Sequence, residues 1–252
     1  MNIAVLVKQT PQVSEVKVTD EARWPESEMI VNPFDEYAIE EALRIKEKLG
    51  GKVMAISYGT EKSESVLRDA LALGVDEAYL IIDDDYNNLD PQRAAKALTG
   101  ALNKIGGVQM VLAGKQATDD DSSVTAPMIA ALLNWPQAGF VKKFESVEEN
   151  KVICLRTTDE GYDKIETPLP AVFSVVKEIN EPRLPSLRGK MKAKKAPITK
   201  WSPTDIGVEL ESSIKIKSIS SPPPRPSGEI LEGEKDEIID KLINKLKKNQ
   251  VL

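Results

Sequence analysis

Apolar positions in the first half of the chain follow two periods, one typical of buried strands and the other of amphipathic helices. Continuous apolar runs predict strands at residues 3–7, 53–57, 78–82 and 109–113. Helical spacing predicts helices at residues 35–49, 65–73, 90–105 and 126–133. Apolar strands alternating with amphipathic helices are typical of a parallel sheet covered on both faces, so the predicted fold class is α/β.

The pattern changes after Trp135-Pro136. Short runs bounded by turns predict strands at residues 141–146, 152–157, 162–166 and 171–176, and we expect them to form an antiparallel extension. A basic, proline-bounded stretch follows at residues 184–195. From its charge alone, the simplest interpretation is a solvated loop. Beyond Pro197 the chain is expected to be irregular.

The C-terminal part predicts an arm that ends in a helix. Residues 220–226, rich in serine and proline, predict an extended linker. A helix at about residues 235–248 then carries an apolar stripe made of Ile238, Ile239, Leu242, Ile243 and Leu246. We expect such a stripe to pack against another surface, either of its own domain or of a partner. We therefore predict an α/β domain at residues 1–196 and an extended arm at residues 197–252.

Composition narrows the chemistry that this chain can perform. Its 252 residues carry a formal net charge of −6, which gives no support to nucleic-acid binding. The absence of histidine removes the usual general base and the commonest zinc ligand. The single Cys154 excludes an intrachain disulfide. The first ten residues are too short for a signal sequence or a membrane span, so we expect a cytoplasmic protein without direct membrane insertion.

The stretch GKQATDDDSSVT at residues 114–125 is a candidate anion site. It follows a predicted strand, and we expect Gly114 to provide an unusual backbone angle where that strand leaves the sheet. Hydroxyl residues then crowd the start of the next helix, where free N–H groups and the helix dipole favour a phosphate. The carboxylates of residues 119–121 would repel a polyphosphate, which favours a nucleotide held through one phosphate. The alternative is an acidic helix N-terminus stabilised by its dipole.

Five segments, in order along the chain, resemble the beta subunit of electron transfer flavoproteins. They are VLVKQT, VNPFDEYAIEEALRIKEK, VMAISYG, GKQATDDD followed by NWPQ, and NEPRLPSLRGKMKAKKAPI. The resemblance implies a Rossmann-like fold of the adenine-nucleotide alpha-hydrolase type. It implies a heterodimer with an alpha subunit that carries most of the FAD site, while this subunit binds AMP structurally. The flavin, rather than any side chain, would carry the electrons.

The resemblance also places the AMP site at the ends of predicted strands and the starts of two helices. Its residues are Leu6, Asn32, Pro33, Phe34, Asp35, Tyr58, Gly114, Lys115, Gln116, Ala117, Thr118, Asp119, Asp120, Asp121, Ser122, Ser123, Val124 and Thr125. We expect Leu6 and Tyr58 to sandwich the purine and Asp35 to cap the first helix. Val13 and Phe34 match positions near the flavin ring, although the family commonly has an aromatic residue at the first of them.

Residues 183–195 match the recognition loop of the family. The residues expected to contact a dehydrogenase are Arg183, Leu184, Pro185, Ser186, Leu187, Arg188, Gly189, Lys190, Met191 and Lys192. Leu187 falls at the anchor leucine, and an exposed leucine on a mobile loop can fill a pocket of the partner. The neighbouring lysines would steer acidic partners. The resemblance implies acyl-CoA or other flavin dehydrogenases as electron donors and a quinone oxidoreductase or another protein as acceptor.

Two other functions fit parts of the sequence. One is an electron-bifurcating flavoprotein, in which a second FAD replaces AMP. Members of that type tend to have glycine in the middle of the acidic triplet, where Asp120 stands here and would oppose a pyrophosphate. The other is a nucleotide-dependent enzyme of similar fold. Such an enzyme would need a motif that grips phosphate, either a P-loop or a G-x-G-x-x-G after its first strand. The sequence contains neither.

Overall fold

A sheet of nine strands forms the centre of the molecule. The computed structural model describes residues 1–12, 28–86, 90–212, 214–215, 217–218, 223 and 227–251. The strands within these ranges are β1 (Asn2–Leu6), β2 (Gln9–Pro11), β3 (Met29–Val31), β4 (Lys52–Gly59), β5 (Glu77–Ile82), β6 (Met110–Gly114), β7 (Gln137–Val147), β8 (Lys151–Thr158), β9 (Gly161–Pro168), β10 (Ala171–Val175) and β11 (Thr199–Trp201).

The large sheet is parallel except at one edge. Its strand order is β11-β5-β4-β1-β6-β10-β7-β8-β9, and β2 pairs with β3 in a separate antiparallel ribbon. All pairings from β11 to β7 are parallel, whereas β7, β8 and β9 form an antiparallel meander. The predicted α/β class and the antiparallel extension are both confirmed.

Helices cover both faces of the sheet. Within the described ranges they are α1 (Pro33–Leu49), α2 (Glu64–Leu73), α3 (Pro91–Ile105), α4 (Thr125–Leu133), α5 (Leu187–Lys195) and α6 (Lys235–Lys248). Alternate residues of β1 face opposite layers: Ile3 and Val5 pack with α1 and α2, whereas Ala4 packs with α3 and α4. Full burial of an aliphatic side chain such as Ile39 contributes about 2 kcal/mol, so both layers anchor the strand ends firmly.

One strand lies where the sequence did not predict it. Residues 171–176 were expected in the antiparallel extension, yet β10 is inserted between β6 and β7 and is parallel to both. All five residues of β10 are buried, as is typical of a central strand, but a short apolar run does not reveal the direction of its neighbours.

The C-terminal third also departs from the predicted loops. Residues 187–195 form the helix α5, so the predicted loop is wrong there. Trp201 and its neighbours form β11 at the edge of the sheet, although irregular chain was predicted beyond Pro197. The final helix α6 matches its prediction, and none of its residues is buried. Most of the predicted linker at residues 220–226 lies outside the described residues.

Candidate functional site

A pocket that is partly open to solvent lies at the carboxyl ends of β1, β4 and β6. This is where ligands bind in open α/β sheets. The predicted site residues that line it are Leu6, Asn32, Asp35, Tyr58, Gly114, Lys115, Gln116, Ala117, Asp120, Ser122, Ser123, Val124 and Thr125. The other members of the predicted AMP set do not line it; they are Pro33, Phe34, Thr118, Asp119 and Asp121.

Asn32 joins the start of α1 to the loop after β6. It is the N-cap residue of α1, and Pro33 occupies the first turn, where its missing N–H costs nothing. The Asn32 side chain donates to the Gln116 carbonyl over 2.8 Å and accepts from the Thr118 N–H over 3.3 Å. The N-cap residue is therefore Asn32, one turn before Asp35, and the predicted cap at Asp35 is wrong.

Asp35 ties the ends of two strands together. Its carboxylate accepts the Lys8 N–H over 2.8 Å and the Gly114 N–H over 3.1 Å. Burial raises the pKa of Asp35 to about 7, although these hydrogen bonds and Asn32 oppose the shift. The carboxyl group thus holds β1 and β6 at one wall of the pocket.

Gly114 is required for close packing rather than for an unusual backbone angle. Its φ angle is not in the left-handed region, contrary to the prediction. A Cβ atom at this position would lie 2.5 Å from Asp35 Oδ1 and 2.7 Å from the backbone of Phe34. Any side chain would therefore push the start of α1 away from the strand.

The acidic triplet is partly neutralised by Lys8. Its ammonium nitrogen lies 2.8 Å from Asp119 Oδ1 and 3.4 Å from Asp120 Oδ2. Asp119 does not line the pocket, and its side chain is only 1% exposed. Asp121 also points elsewhere, which leaves Asp120 as the carboxylate of the triplet in the wall. This arrangement removes much of the repulsion that the sequence predicts for an anion.

The start of α4 forms another wall of the pocket. Val124 is the N-cap residue, and among the described residues no side chain caps this helix. Ser122, Ser123 and Thr125 line the pocket beside the uncapped end. Ser123 adopts a left-handed φ of 57°, which is costly for a non-glycine residue. Free N–H groups and hydroxyls together form a site suited to one phosphate.

Two tyrosines, Tyr58 and Tyr86, also line the pocket. The Tyr58 hydroxyl donates to Asp83 Oδ2 over 2.5 Å and accepts from Arg93 Nε over 3.0 Å. Arg93 forms a buried ion pair with Asp83 at 2.7 Å, and the Tyr86 ring packs edge-on against Tyr58 with centroids 5.2 Å apart. Because the Tyr58 hydroxyl is engaged on both sides, its ring is the part that can contact a ligand.

Several lining residues were not predicted. They are Val7, Lys8, Ile56, Tyr86, Pro91, Ala94, Leu98, Ala113 and Ala126. The position of Lys8, directly after the first strand, was a usable signal for the ion pairs with the acidic triplet. Tyr86 follows β5, and no pattern in the sequence indicates that its ring turns back towards Tyr58.

Phe34 lies in a neighbouring cleft instead of the pocket. That cleft also contains Phe140, Arg156 and Lys177, and the Lys115 ammonium lies 5.2 Å from the centre of the Phe34 ring. Lys115 lines both cavities, so the cleft adjoins the pocket. The other predicted flavin-proximal residue, Val13, lies outside the described residues.

Residues 183–195, here called the recognition segment, present an apolar patch on the surface. Leu184, Leu187 and Met191 form this patch and are 91%, 77% and 64% exposed. Leu187 and Met191 lie four residues apart in α5 and so share one side of that helix, whereas Leu184 precedes the helix in irregular chain. The surrounding cations are exposed as well; they are Arg188, Lys190, Lys192, Lys194 and Lys195.

Among the described residues, no helix has the length and apolarity needed to cross a bilayer, and no cluster of acidic residues and cysteine suits a metal ion. The fold and the pocket define an α/β protein of the kind that binds ligands at the carboxyl ends of its strands.

Comparison with known proteins identifies the family. The electron transfer flavoprotein domain matches residues 25–206. The chain is 37% identical to the electron transfer flavoprotein subunit beta of Thermoanaerobacterium thermosaccharolyticum, and both chains are covered completely. It is 36% identical to the Bacillus subtilis subunit beta, with 98% of each covered, and 35% identical to subunit CarD of the caffeyl-CoA reductase-Etf complex of Acetobacterium woodii, with both covered completely.

The chain belongs to the electron transfer flavoprotein family, and its relatives are beta subunits. Proteins of this kind are electron carriers rather than enzymes, and a beta subunit pairs with an alpha subunit in a heterodimer. The resemblance stated from the five sequence segments is therefore confirmed.

Proposed function

We propose that this chain binds one AMP in the pocket and, with an alpha subunit, forms a cytoplasmic flavoprotein that carries electrons on a shared FAD. FAD supplies the redox chemistry, and this subunit holds the nucleotide and the docking surface. The proposed donors are acyl-CoA or other flavin dehydrogenases, and the proposed acceptor is a quinone oxidoreductase or a similar protein. The observation that carries the proposal is that the uncapped start of α4 and the Tyr58 ring line the same pocket.

The residues present suit a mononucleotide. The N–H groups and hydroxyls at the start of α4 would hold the phosphate, while Leu6 and Tyr58 offer apolar surfaces to the base. Asp120 lies in the wall, where a carboxylate opposes a second phosphate but can accept from a ribose hydroxyl. These contacts favour a nucleotide with one phosphate.

The test is to identify and count the nucleotides released when the purified heterodimer is denatured. We expect one AMP and one FAD per heterodimer. Gly114→Ala should lower the AMP content, because its Cβ would move the start of α1. Gly139→Ala is the matched control, since its Cβ would meet nothing closer than Ser174 Oγ at 3.5 Å. Heterodimers without any adenine mononucleotide would refute the AMP site.

The recognition segment is the proposed site for the dehydrogenase. Its apolar patch is surrounded by exposed cations, a combination that suits an apolar pocket with an acidic rim. Phe34, in the cleft beside the pocket, is the described residue proposed to lie near the flavin ring. The alpha subunit would supply the rest of that site.

A second candidate is the version in which another FAD replaces AMP. The 35% identity to CarD, a subunit of a caffeyl-CoA reductase-Etf complex, is the reason to test this candidate. Asp120 argues against this candidate, because its carboxylate lines the pocket and would repel a pyrophosphate there. Two FAD and no AMP per heterodimer would promote this candidate over the first.

A further inference from the structure

The recognition segment is held at both ends by arginine contacts to two different helices. At its beginning, Arg183 reaches α1; at its end, Arg68 of α2 reaches the last carbonyls of α5. The apolar patch lies between these two attachments. The segment is thus a short helix that is fixed to the domain at both ends, and these attachments determine how the apolar patch is presented.

Glu40 and Glu47 of α1 both bind Arg183 in the first attachment, and Arg183 Nη1 lies 2.5 Å from Glu47 Oε1. Glu40 is the buried one of the two, and its residue is only 4% exposed. Its carboxylate accepts from Arg183 Nε over 2.7 Å, from the Arg183 backbone N–H over 3.2 Å and from Arg44 Nε over 2.6 Å. Burial raises the pKa of Glu40, but the hydrogen bonds from Arg183 and Arg44 outweigh it and lower the pKa overall. The carboxylate is therefore ionised and engaged on both oxygens.

Further bonds fix the chain just before the segment. Asn180 donates to the Tyr37 carbonyl and to Glu41 Oε2, both over 3.0 Å, and Arg44 Nη2 donates to the Glu181 carbonyl over 3.2 Å. All these partners belong to α1. The backbone leading to Leu184 therefore leaves the domain in a fixed direction.

The second attachment fixes the helix itself. Arg68 Nη1 donates to the Ala193 carbonyl over 2.7 Å and to the Ala196 carbonyl over 2.5 Å. Gly189 approaches α2 so closely that a Cβ atom would lie 2.3 Å from the Ala72 carbonyl oxygen. Ser186 caps the N-terminus of α5 through the Gly189 N–H over 3.0 Å. These contacts bury one side of α5 and leave the apolar patch outside.

We propose that Glu40 is a positioning residue for partner docking, which holds Arg183 so that the apolar patch is presented in its docking geometry before the partner arrives. This inference rests on the proposed docking function of the segment. Ordering a loop during association costs binding free energy, and a segment ordered in advance avoids that cost. Glu40 touches no partner itself and acts through Arg183.

The experiment measures the reduction of the heterodimer by a flavin dehydrogenase that reduces the wild-type complex. Glu40→Ala should raise the apparent KM for the dehydrogenase on the order of tenfold, with kcat nearly unchanged. Glu40→Gln, which keeps one acceptor oxygen, should lie between the two. Glu77→Ala is the matched control, because Glu77 also forms an ion pair, with Lys52, but contacts nothing in the segment.

Three further measurements separate positioning from a merely structural role. Flavin content and reduction by dithionite should stay at the wild-type level in Glu40→Ala, while amide hydrogen exchange in residues 184–190 should become faster. Loss of flavin content, or exchange unchanged from wild type, would overturn the proposal.

A double-mutant cycle with Leu187→Ala then separates this inference from the function on which it rests. If Glu40 acts through the patch, its removal should cost much less in the Leu187→Ala background than in wild type. If the two substitutions raise KM independently, so that their effects multiply in the double variant, the positioning role is overturned while the docking function stands. The same conclusion follows if KM rises in Leu187→Ala and not in Glu40→Ala. A Leu187→Ala complex with wild-type KM would instead refute the docking function itself.

Discussion

Asp35 combines a buried carboxyl group with two backbone N–H donors. Because its pKa in the folded chain, about 7, lies above the ordinary value of 3.8, the folded state binds the proton more tightly than the unfolded state. Its contribution to the free energy of unfolding is therefore greatest at low pH, falls as the pH rises from 3.8 to 7 and is constant above that.

This predicts a pH-dependent effect of Asp35→Asn. The asparagine cannot ionise, so the variant lacks the loss of stability that wild type suffers as the pH rises. Between about pH 5 and about pH 8, the difference in Tm should shift in favour of the variant by several degrees, for a free energy on the order of 2 kcal/mol. Thermal unfolding of both heterodimers across this range is the measurement. A Tm difference that does not change with pH would show that the pKa is not raised.

At the residue scale, the positions that could be predicted are those at strand ends and helix starts. The resemblance to the family placed Leu6, Asn32 and Tyr58 at the pocket, and their positions at strand ends and at a helix start agree with it. The sequence pattern misses the pairing of Lys8 with Asp119, because strand ends meet at one edge of a sheet without indicating which side chains pair. It also misjudges Gly114, because a close approach of another segment leaves no local signal.

At the scale of elements, α5 shows why a short surface helix escapes sequence patterns. Only Ala193 of its nine residues is buried, so the helix has no buried apolar stripe. What stabilises the helix lies elsewhere, in the Ser186 cap and in Arg68 of the neighbouring helix. The long helices α1 and α3 present wide buried stripes, and their positions were predicted to within two residues.

The exposure of Leu187 supports a specific test of the segment. Its side chain is 77% exposed, so Leu187→Ala should leave Tm, flavin content and AMP content nearly unchanged. Loss of an interface anchor should raise the apparent KM for the dehydrogenase about thirtyfold. Leu49→Ala, at the end of α1 and 41% exposed, controls for the loss of a surface leucine. If the variant reduces normally and remains stable, recognition resides in the lysines around the patch instead.

The whole molecule has an apolar stripe without a cover in the described chain. Ile239, Leu242 and Ile243 of α6 are all exposed, and the helix contributes no residue to the buried core. Because beta subunits of this family pair with an alpha subunit, we expect an alpha subunit to cover the stripe. For the same reason the chain produced alone should aggregate, and co-expression with the alpha subunit should prevent it.

Deleting residues 235–252 should therefore weaken the heterodimer while leaving the α/β core of this subunit folded. The measurement is the dissociation constant of the two subunits, with retained flavin as a second readout. A full-length variant with Ile239, Leu242 and Ile243 changed to serine keeps the helix length and should weaken the complex similarly. A truncated chain that forms an equally tight, flavin-loaded complex would show that α6 does not hold the alpha subunit.

The division of labour within the recognition segment bears on how partner choice can change over evolution. Glu40 of α1 and Arg68 of α2 hold the segment, and Gly189 packs against α2, so substitutions at these positions disturb the packing of the domain. The three side chains of the apolar patch touch little of their own chain and are open to change without a stability penalty. On the proposed docking function, a lineage can thus acquire a new electron donor through a few substitutions in the patch, while the pocket and the fold are inherited unchanged.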